Sequence, residues 1–171
     1  MRKTNLDDWK IIRNEPAKPY LTHSIYESDN CDFAFYFSQI EEWGLMKYCT
    51  KLQIYKDKSA PQKIYDSKSV WFLFDTSDYI YDWTSEKLVC FIQLINKGNN
   101  KYSQPFIIIN LDNLKYASLK GNFETLTKNN DNTITGIETI NDNNTKTEKK
   151  RVENIKLDEL KWMPLNQLAD N

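Results

Sequence analysis

The sequence predicts an α+β, mainly β fold: a mostly antiparallel meander sheet, sandwich-like or partly closed, with one or two short helices. Three observations between Val70 and Leu111 lead to this expectation. The apolar runs are short, they are rich in aromatic and β-branched residues, and turn-forming residues separate them. Connections this short join antiparallel neighbours, because a parallel crossover needs about a dozen residues or more.

The N-terminal residues 1–30 are predicted to form an extended arm or a strand with an irregular lead-in, with Trp9, Ile11 and Ile12 packing it onto the core. Pro16 and Pro19 lie within it, and each proline fixes φ and removes a backbone donor. The next segment, Cys31–Phe37, alternates aromatic residues in the period-2 pattern of a strand. The arm is therefore expected to lead directly into the sheet.

The segment that follows has two interpretations. Ser38-Gln39-Ile40-Glu41 matches a helix capping box, which predicts a short helix or turn over residues 39–44. A helix there is weakened by Gly44, which costs about 1 kcal/mol relative to Ala. A turn at Gly44 followed by a strand over Leu45–Tyr55 fits the pattern equally well.

Four strands are predicted in the central stretch, namely Val70–Phe74, Tyr79–Trp83, Lys87–Ile95 and Phe106–Leu111. Three of them are apolar on both faces, which is typical of strands in the middle of a covered sheet or a barrel. The second differs, because Tyr79, Tyr81 and Trp83 share one face while Ile80 and Asp82 share the other. The aromatic face of this strand is predicted either to be exposed or to pack under a neighbouring layer.

The C-terminal third is more polar. Thr133–Ile140 alternates Thr and Ile as an edge strand does, and residues 141–150 lack apolar side chains, which predicts a mobile polar loop. A last strand is expected over Arg151–Leu157, with a short helix starting at Asp158. The whole chain, residues 1–171, is expected to form a single globular domain.

Composition excludes several classes of protein. The chain is 40% hydrophobic and 27% charged, as in an ordinary globular domain. Its net charge of -1, with three arginines among 23 basic residues, argues against nucleic-acid binding. No segment approaches the roughly 20 apolar residues of a membrane span, and the N-terminus lacks a secretory pattern. Cys31, Cys49 and Cys90 form no paired motif, so reduced thiols and a cytoplasmic location are expected.

The sequence contains few groups suited to catalysis. His23 is the single histidine, and the four glycines are too isolated to cradle a phosphate. The residues therefore predict no metal, no cofactor and no catalytic group. One enzymatic alternative stays open: a small hydrolase that uses carboxylates, or a pair of His23 with Cys31 or Cys49.

Acidic residues form two windows. One contains Asp66, Asp75, Asp78, Asp82 and Glu86, and the other contains Glu27, Asp29, Asp32, Glu41 and Glu42. Turns favour such residues for backbone reasons, and an acidic surface that attracts a basic partner is the functional interpretation. Positive charge is concentrated elsewhere, in Lys146, Lys149, Lys150 and Arg151.

These observations predict a non-enzymatic module that binds another protein. The candidate partner-binding residues are Asp75, Asp78, Tyr79, Tyr81, Asp82, Trp83, Glu41 and Glu42. The most concrete form is a bacterial immunity-type protein that neutralises a cognate toxin by occlusion, with a basic toxin or enzyme as its partner. An inhibitor encoded by a phage or a mobile element is an alternative.

Overall fold

The computed structural model describes residues 1–12, 22–43, 46–67, 70–73, 80–99, 101–142 and 147–168. Over these residues the chain is mostly antiparallel β-strand, and its helical elements are 3₁₀ turns of three residues. The predicted antiparallel β architecture is confirmed, whereas the α+β description is supported only in part, because the short helices are single turns. No helix in the described ranges is long and apolar enough to cross a membrane.

The described strands are, in chain order, β1 (Arg2–Lys3), β2 (Thr22–Glu27), β3 (Phe33–Trp43), β4 (Met46–Lys56), β5 (Gln62–Asp66), β6 (Phe72–Leu73), β7 (Tyr81–Trp83), β8 (Leu88–Ile92), β9 (Ile95–Asn96), β10 (Tyr102–Ser103), β11 (Phe106–Asn110), β12 (Lys115–Ser118), β13 (Thr125–Lys128), β14 (Thr133–Asp142), β15 (Thr147–Lys156) and β16 (Met163–Pro164). The 3₁₀ turns are Asp7–Trp9, Thr84–Glu86, Leu157–Glu159 and Leu165–Gln167.

The strands form three main sheets. The first has the order β1-β2-β3-β4-β5, with β6 also pairing with β4. The central sheet has the order β16-β12-β11-β8-β7, and the third has the order β13-β14-β15. A small additional ribbon pairs β9 with β10. Most neighbours are joined by short connections, as the sequence predicts; the exceptions are β1 with β2, β4 with β6, β8 with β11 and β12 with β16.

The central sheet is covered on both faces. Val89, Phe91 and Ile107 pack against the first sheet in one cluster of buried residues. Cys90 and Ile108, which lie between them along the same strands, pack against Ile134 of the third sheet in a second cluster. The period-2 pattern of β8 and β11 thus explains the layered architecture, because successive side chains point to opposite faces.

The N-terminal residues cover the outer face of the first sheet. Trp9 is fully buried, and with Ile11 it packs on Ile25, Ala34 and Tyr36. The segment predicted as an extended arm thus includes a packed 3₁₀ turn and two strands, β1 and β2, that belong to the sheet. The proline-containing part of the predicted arm lies outside the described residues.

The predicted helix near residues 39–44 is wrong. β3 continues to Trp43 and pairs with β4 from Phe33↔Lys56 to Trp43↔Met46. Gln39 adopts a φ of 55°, which no α-helix tolerates. The capping-box pattern is overridden because long-range strand pairing outweighs a local side-chain cap. The alternative strand after Gly44 is the correct interpretation, with the turn itself outside the described residues.

The loop predicted for residues 141–150 is wrong at both ends, which belong to strands. Asn141 and Asp142 belong to β14, and β15 begins at Thr147, where the two strands pair as Asp142↔Thr147. The absence of apolar residues does not exclude a strand here, because the pairing is made by backbone N–H and C=O groups. Residues 143–146 lie outside the described ranges.

Two glycines make room for one aromatic ring. Phe123 lies over Gly136 in β14, where an added Cβ would sit 2.5 Å from the ring, and also against Gly121. Gly121 adopts a φ of +144°, which side chains rarely accept. The pairing of Phe123 with these glycines fixes how the segment before β13 folds onto the third sheet.

Candidate functional site

The structure locates part of the predicted partner-binding set. Asp75, Asp78 and Tyr79 lie outside the described residues. Glu41 and Glu42 belong to β3, opposite Tyr48 and Lys47 of β4. The remaining three, Tyr81, Asp82 and Trp83, form β7 at the edge of the central sheet.

The two acidic windows meet beside β7. The backbone N–H of Asp29, in the turn between β2 and β3, donates a hydrogen bond to Asp82 Oδ2 at 3.3 Å. The Met1 amine lies 3.0 Å from the same oxygen and 3.1 Å from Asp29 Oδ1. Lys87 Nζ lies 3.4 Å from Asp32 Oδ2 and forms a second link across this junction. Residues far apart in sequence therefore share one surface.

Asp82 serves as the internal anchor of this junction. Its Oδ1 accepts hydrogen bonds from Thr84 N–H at 3.0 Å and from Thr84 Oγ1 at 2.6 Å. Burial alone would raise the pKa of Asp82, but the Thr84 hydrogen bonds and the Met1 amine outweigh it and lower the pKa. With 9% of its side chain exposed, Asp82 orders the junction more than it offers charge to a partner.

Exposed carboxylates lie on the two segments next to this anchor, the turn between β2 and β3 and the 3₁₀ turn after β7. The exposed fractions of the side chains are 79% for Asp29, 54% for Asp32 and 48% for Glu86. Glu86 ends the 3₁₀ turn that follows β7, and its Oε2 lies 2.8 Å from Lys128 Nζ. We refer to Asp29, Asp32, Asp82 and Glu86 as the acidic surface.

The aromatic residues of β7 pack mainly inward. The Tyr81 ring lies 5.8 Å from Phe106, and its hydroxyl accepts a hydrogen bond from Leu126 N–H at 3.3 Å. The Trp83 ring lies 5.6 Å from Tyr81, and both side chains are half-buried against the second cluster. Of the two alternatives for this face, packing under a neighbouring layer describes Tyr81 and Trp83.

A buried carboxylate lies near the acidic surface; the sequence places it in an acidic window but does not predict its burial. Glu27 in β2 is 2% exposed and accepts hydrogen bonds from Trp9 Nε1 at 3.0 Å, from Lys58 Nζ at 2.8 Å and from Arg2. Burial would raise the pKa of Glu27, but these donors outweigh it and lower the pKa. No local pattern reveals this network, because its donors are 18 to 31 residues away.

His23 lines a cavity of about 360 Å³ together with residues 3–7, Ser24 and Ile25. No cysteine contributes to the lining described here. Cys49 and Cys90 are buried in the core, where burial raises the pKa of Cys49 to about 12 and that of Cys90 well above its usual value. Such thiols remain protonated at neutral pH and are poor nucleophiles.

A second polar cavity, of about 310 Å³, lies at the end of the central and third sheets. Its polar groups are largely engaged internally: Asn132 Nδ2 donates to Asp158 Oδ1 at 3.2 Å, and Trp162 Nε1 donates to the Leu157 carbonyl at 2.9 Å. Among the residues described, no group of three His, Cys, Asp or Glu side chains is arranged to hold a metal ion.

Comparisons with protein families, with curated proteins and with solved structures give no match to this chain.

Proposed function

We propose that the chain is a non-enzymatic protein-binding module that binds a basic protein through the acidic surface. The observation that supports this proposal most strongly is the junction of the two acidic windows, in which Asp29 and Asp82 are joined directly. Asp82 is largely covered, and each of the exposed carboxylates beside it is held by a cation of the same chain, so the charges of this surface are fixed in position.

The electrostatics of such a surface suit recognition of a basic partner. Exposed charges steer diffusional encounter and raise association rates, and complementary charge suppresses wrong partners. Screening over a Debye length of about 10 Å at 0.1 M salt makes this attraction dependent on ionic strength. Recognition of this kind would weaken measurably between low and moderate salt.

A bacterial immunity-type protein, acting in the cytoplasm on a basic toxin, is the most concrete form of this proposal. An inhibitor encoded by a phage or a mobile element would use the same surface in the same way. A hydrolase has less support, since the described lining of the His23 cavity contains no thiol and Asp82 is held by internal contacts.

The proposal is tested with the partner captured from a lysate of the encoding organism by tagged protein. The variant Asp29→Asn/Asp32→Asn/Glu86→Gln removes three exposed charges. Each exposed ion pair contributes about 0.2–1 kcal/mol, so binding at low salt should weaken roughly 3- to 150-fold.

The matched control is Asp7→Asn/Glu124→Gln/Glu159→Gln, which removes three exposed charges outside the acidic surface and keeps the same net charge as the test variant. Binding of the control within about twofold of the wild type, with loss in the test variant, would support the proposal. Equal binding by both variants would rule out the acidic surface as the site. Absence of any salt-sensitive partner would contradict the function itself.

A further inference from the structure

The third sheet ends in a long strand, β15, at one edge of its described part. β15 pairs with β14 over Thr147–Lys156, and among the described residues it has no strand on its other side. Val152, near the middle of β15, is 60% exposed. An edge of this length presents a row of backbone N–H and C=O groups that can pair with another strand.

Charged residues along an edge strand usually discourage such pairing. The charge pattern of β15 is unusual because it is self-complementary in one register. In a regular antiparallel pair, residues that face each other are either both hydrogen-bonded across the pair or both not. Two identical strands must therefore pair symmetrically about a residue that faces its own copy.

Only a few residues can occupy that symmetry axis. An axis at Lys150, Arg151 or Glu153 places that residue against the same charge in the second copy. An axis at Asn154 pairs only residues 152–156. An axis at Val152 pairs residues 148–156 and places no like charges opposite each other.

Pairing about Val152 also places opposite charges face to face. Arg151 lies opposite Glu153 of the second copy, and Glu148 lies opposite Lys156. Within one chain Arg151 Nη2 already lies 3.2 Å from Glu153 Oε2, so the axis would bring together four charges of alternating sign. The exposed Val152 side chains would cover each other on the opposite face of the ribbon.

We propose that two copies of this chain associate through β15, antiparallel and centred on Val152, so that their third sheets form one continuous sheet. This interaction is independent of the acidic surface and of any basic partner.

Cysteine cross-linking tests the register directly. In Val152→Cys the two new thiols face each other, with Cα atoms about 4.5–5.5 Å apart, which is within disulfide range. In the matched control Lys150→Cys the thiols are four positions apart along the strand, about 13–14 Å. Mild oxidation should therefore convert most of Val152→Cys, and little of Lys150→Cys, into a covalent dimer.

The wild type, whose Cys31 is partly exposed, gives the background level of cross-linking. Equal cross-linking of both variants, or none in either, would overturn the proposal.

A charge-exchange series provides a second test by sedimentation equilibrium. Arg151→Glu places Glu opposite Glu153 of the second copy at two symmetric positions and should weaken self-association by about tenfold. Arg151→Glu/Glu153→Arg restores opposite charges in this register and should recover most of the affinity. A wild type that stays monomeric at high concentration, or a double variant as weak as the single one, would contradict pairing about Val152.

Discussion

The buried carboxylate of Glu27 provides a specific prediction of pH-dependent stability. In Glu27→Gln the side chain keeps its shape and can still accept the hydrogen bond from Trp9, but it loses the charge that holds Lys58 and Arg2. Hydrogen bonds to charged groups contribute about 1.5–3 kcal/mol, while the partly exposed cations regain water. We therefore expect Glu27→Gln to lower the free energy of unfolding by about 1.5–3 kcal/mol at pH 7.

The pH dependence follows from the lowered pKa of Glu27. A carboxyl group whose pKa is lower in the folded state stabilises the fold above its unfolded pKa, near 4.5, and loses this contribution as the pH falls through the folded pKa. The difference between wild type and Glu27→Gln should therefore be full at pH 7 and shrink below pH 4.5.

Urea unfolding at a series of pH values measures this difference. For a chain of this size, thermal unfolding should show a loss of about 3–12 °C at pH 7. Asp112→Asn, which removes an exposed carboxylate, is the control and should change little. A difference for Glu27→Gln that is absent at pH 7, or equal at pH 7 and pH 3, would refute the charge-based role of Glu27.

Two further predictions concern the packing of the layers. Phe91→Ala should lower the free energy of unfolding by about 3–5 kcal/mol, because the Phe91 ring centroid lies 5.8 Å from those of Phe35 and Phe37. Ile108→Ala should lower it by about 2–5 kcal/mol, because Ile108 is fully buried on the other face of the central sheet. Unchanged urea midpoints would show that one of the two interfaces is misassigned. Gly136→Ala should cost about 1–3 kcal/mol, because its Cβ would meet the Phe123 ring at 2.5 Å. Adding Phe123→Leu to Gly136→Ala should recover part of the lost free energy of unfolding. A loss that persists in the double variant would show that the backbone at position 136, and not the Phe123 ring, disfavours Ala.

The alternation of side chains made the middle of the fold predictable. Val89 and Phe91 alternate with Cys90 in the sequence, and the structure buries both faces of β8 for that reason. The pattern does not predict which element packs on each face; in the structure the first sheet packs on one face and the third sheet on the other. The Ser38–Glu41 capping pattern misled because a local motif carries no information about the pairing of β3 with β4.

The candidate site was predictable only in its parts. The two acidic windows are visible in the sequence, but Asp29 and Asp82 are 53 residues apart, and their contact depends on how the first and central sheets pack. The same holds for Glu27, whose neighbours in sequence give no sign of burial. The inward packing of Tyr81 depends on β13, which contributes the Leu126 N–H.

Hydrogen–deuterium exchange of the chain, alone and with its captured partner, tests the proposed binding surface most directly. The proposal predicts that the partner slows exchange at residues 28–32 and 81–87, which carry the acidic surface, and leaves residues 136–140 of β14 unchanged. Slower exchange confined to other segments, or no change on addition of the partner, would contradict recognition through the acidic surface.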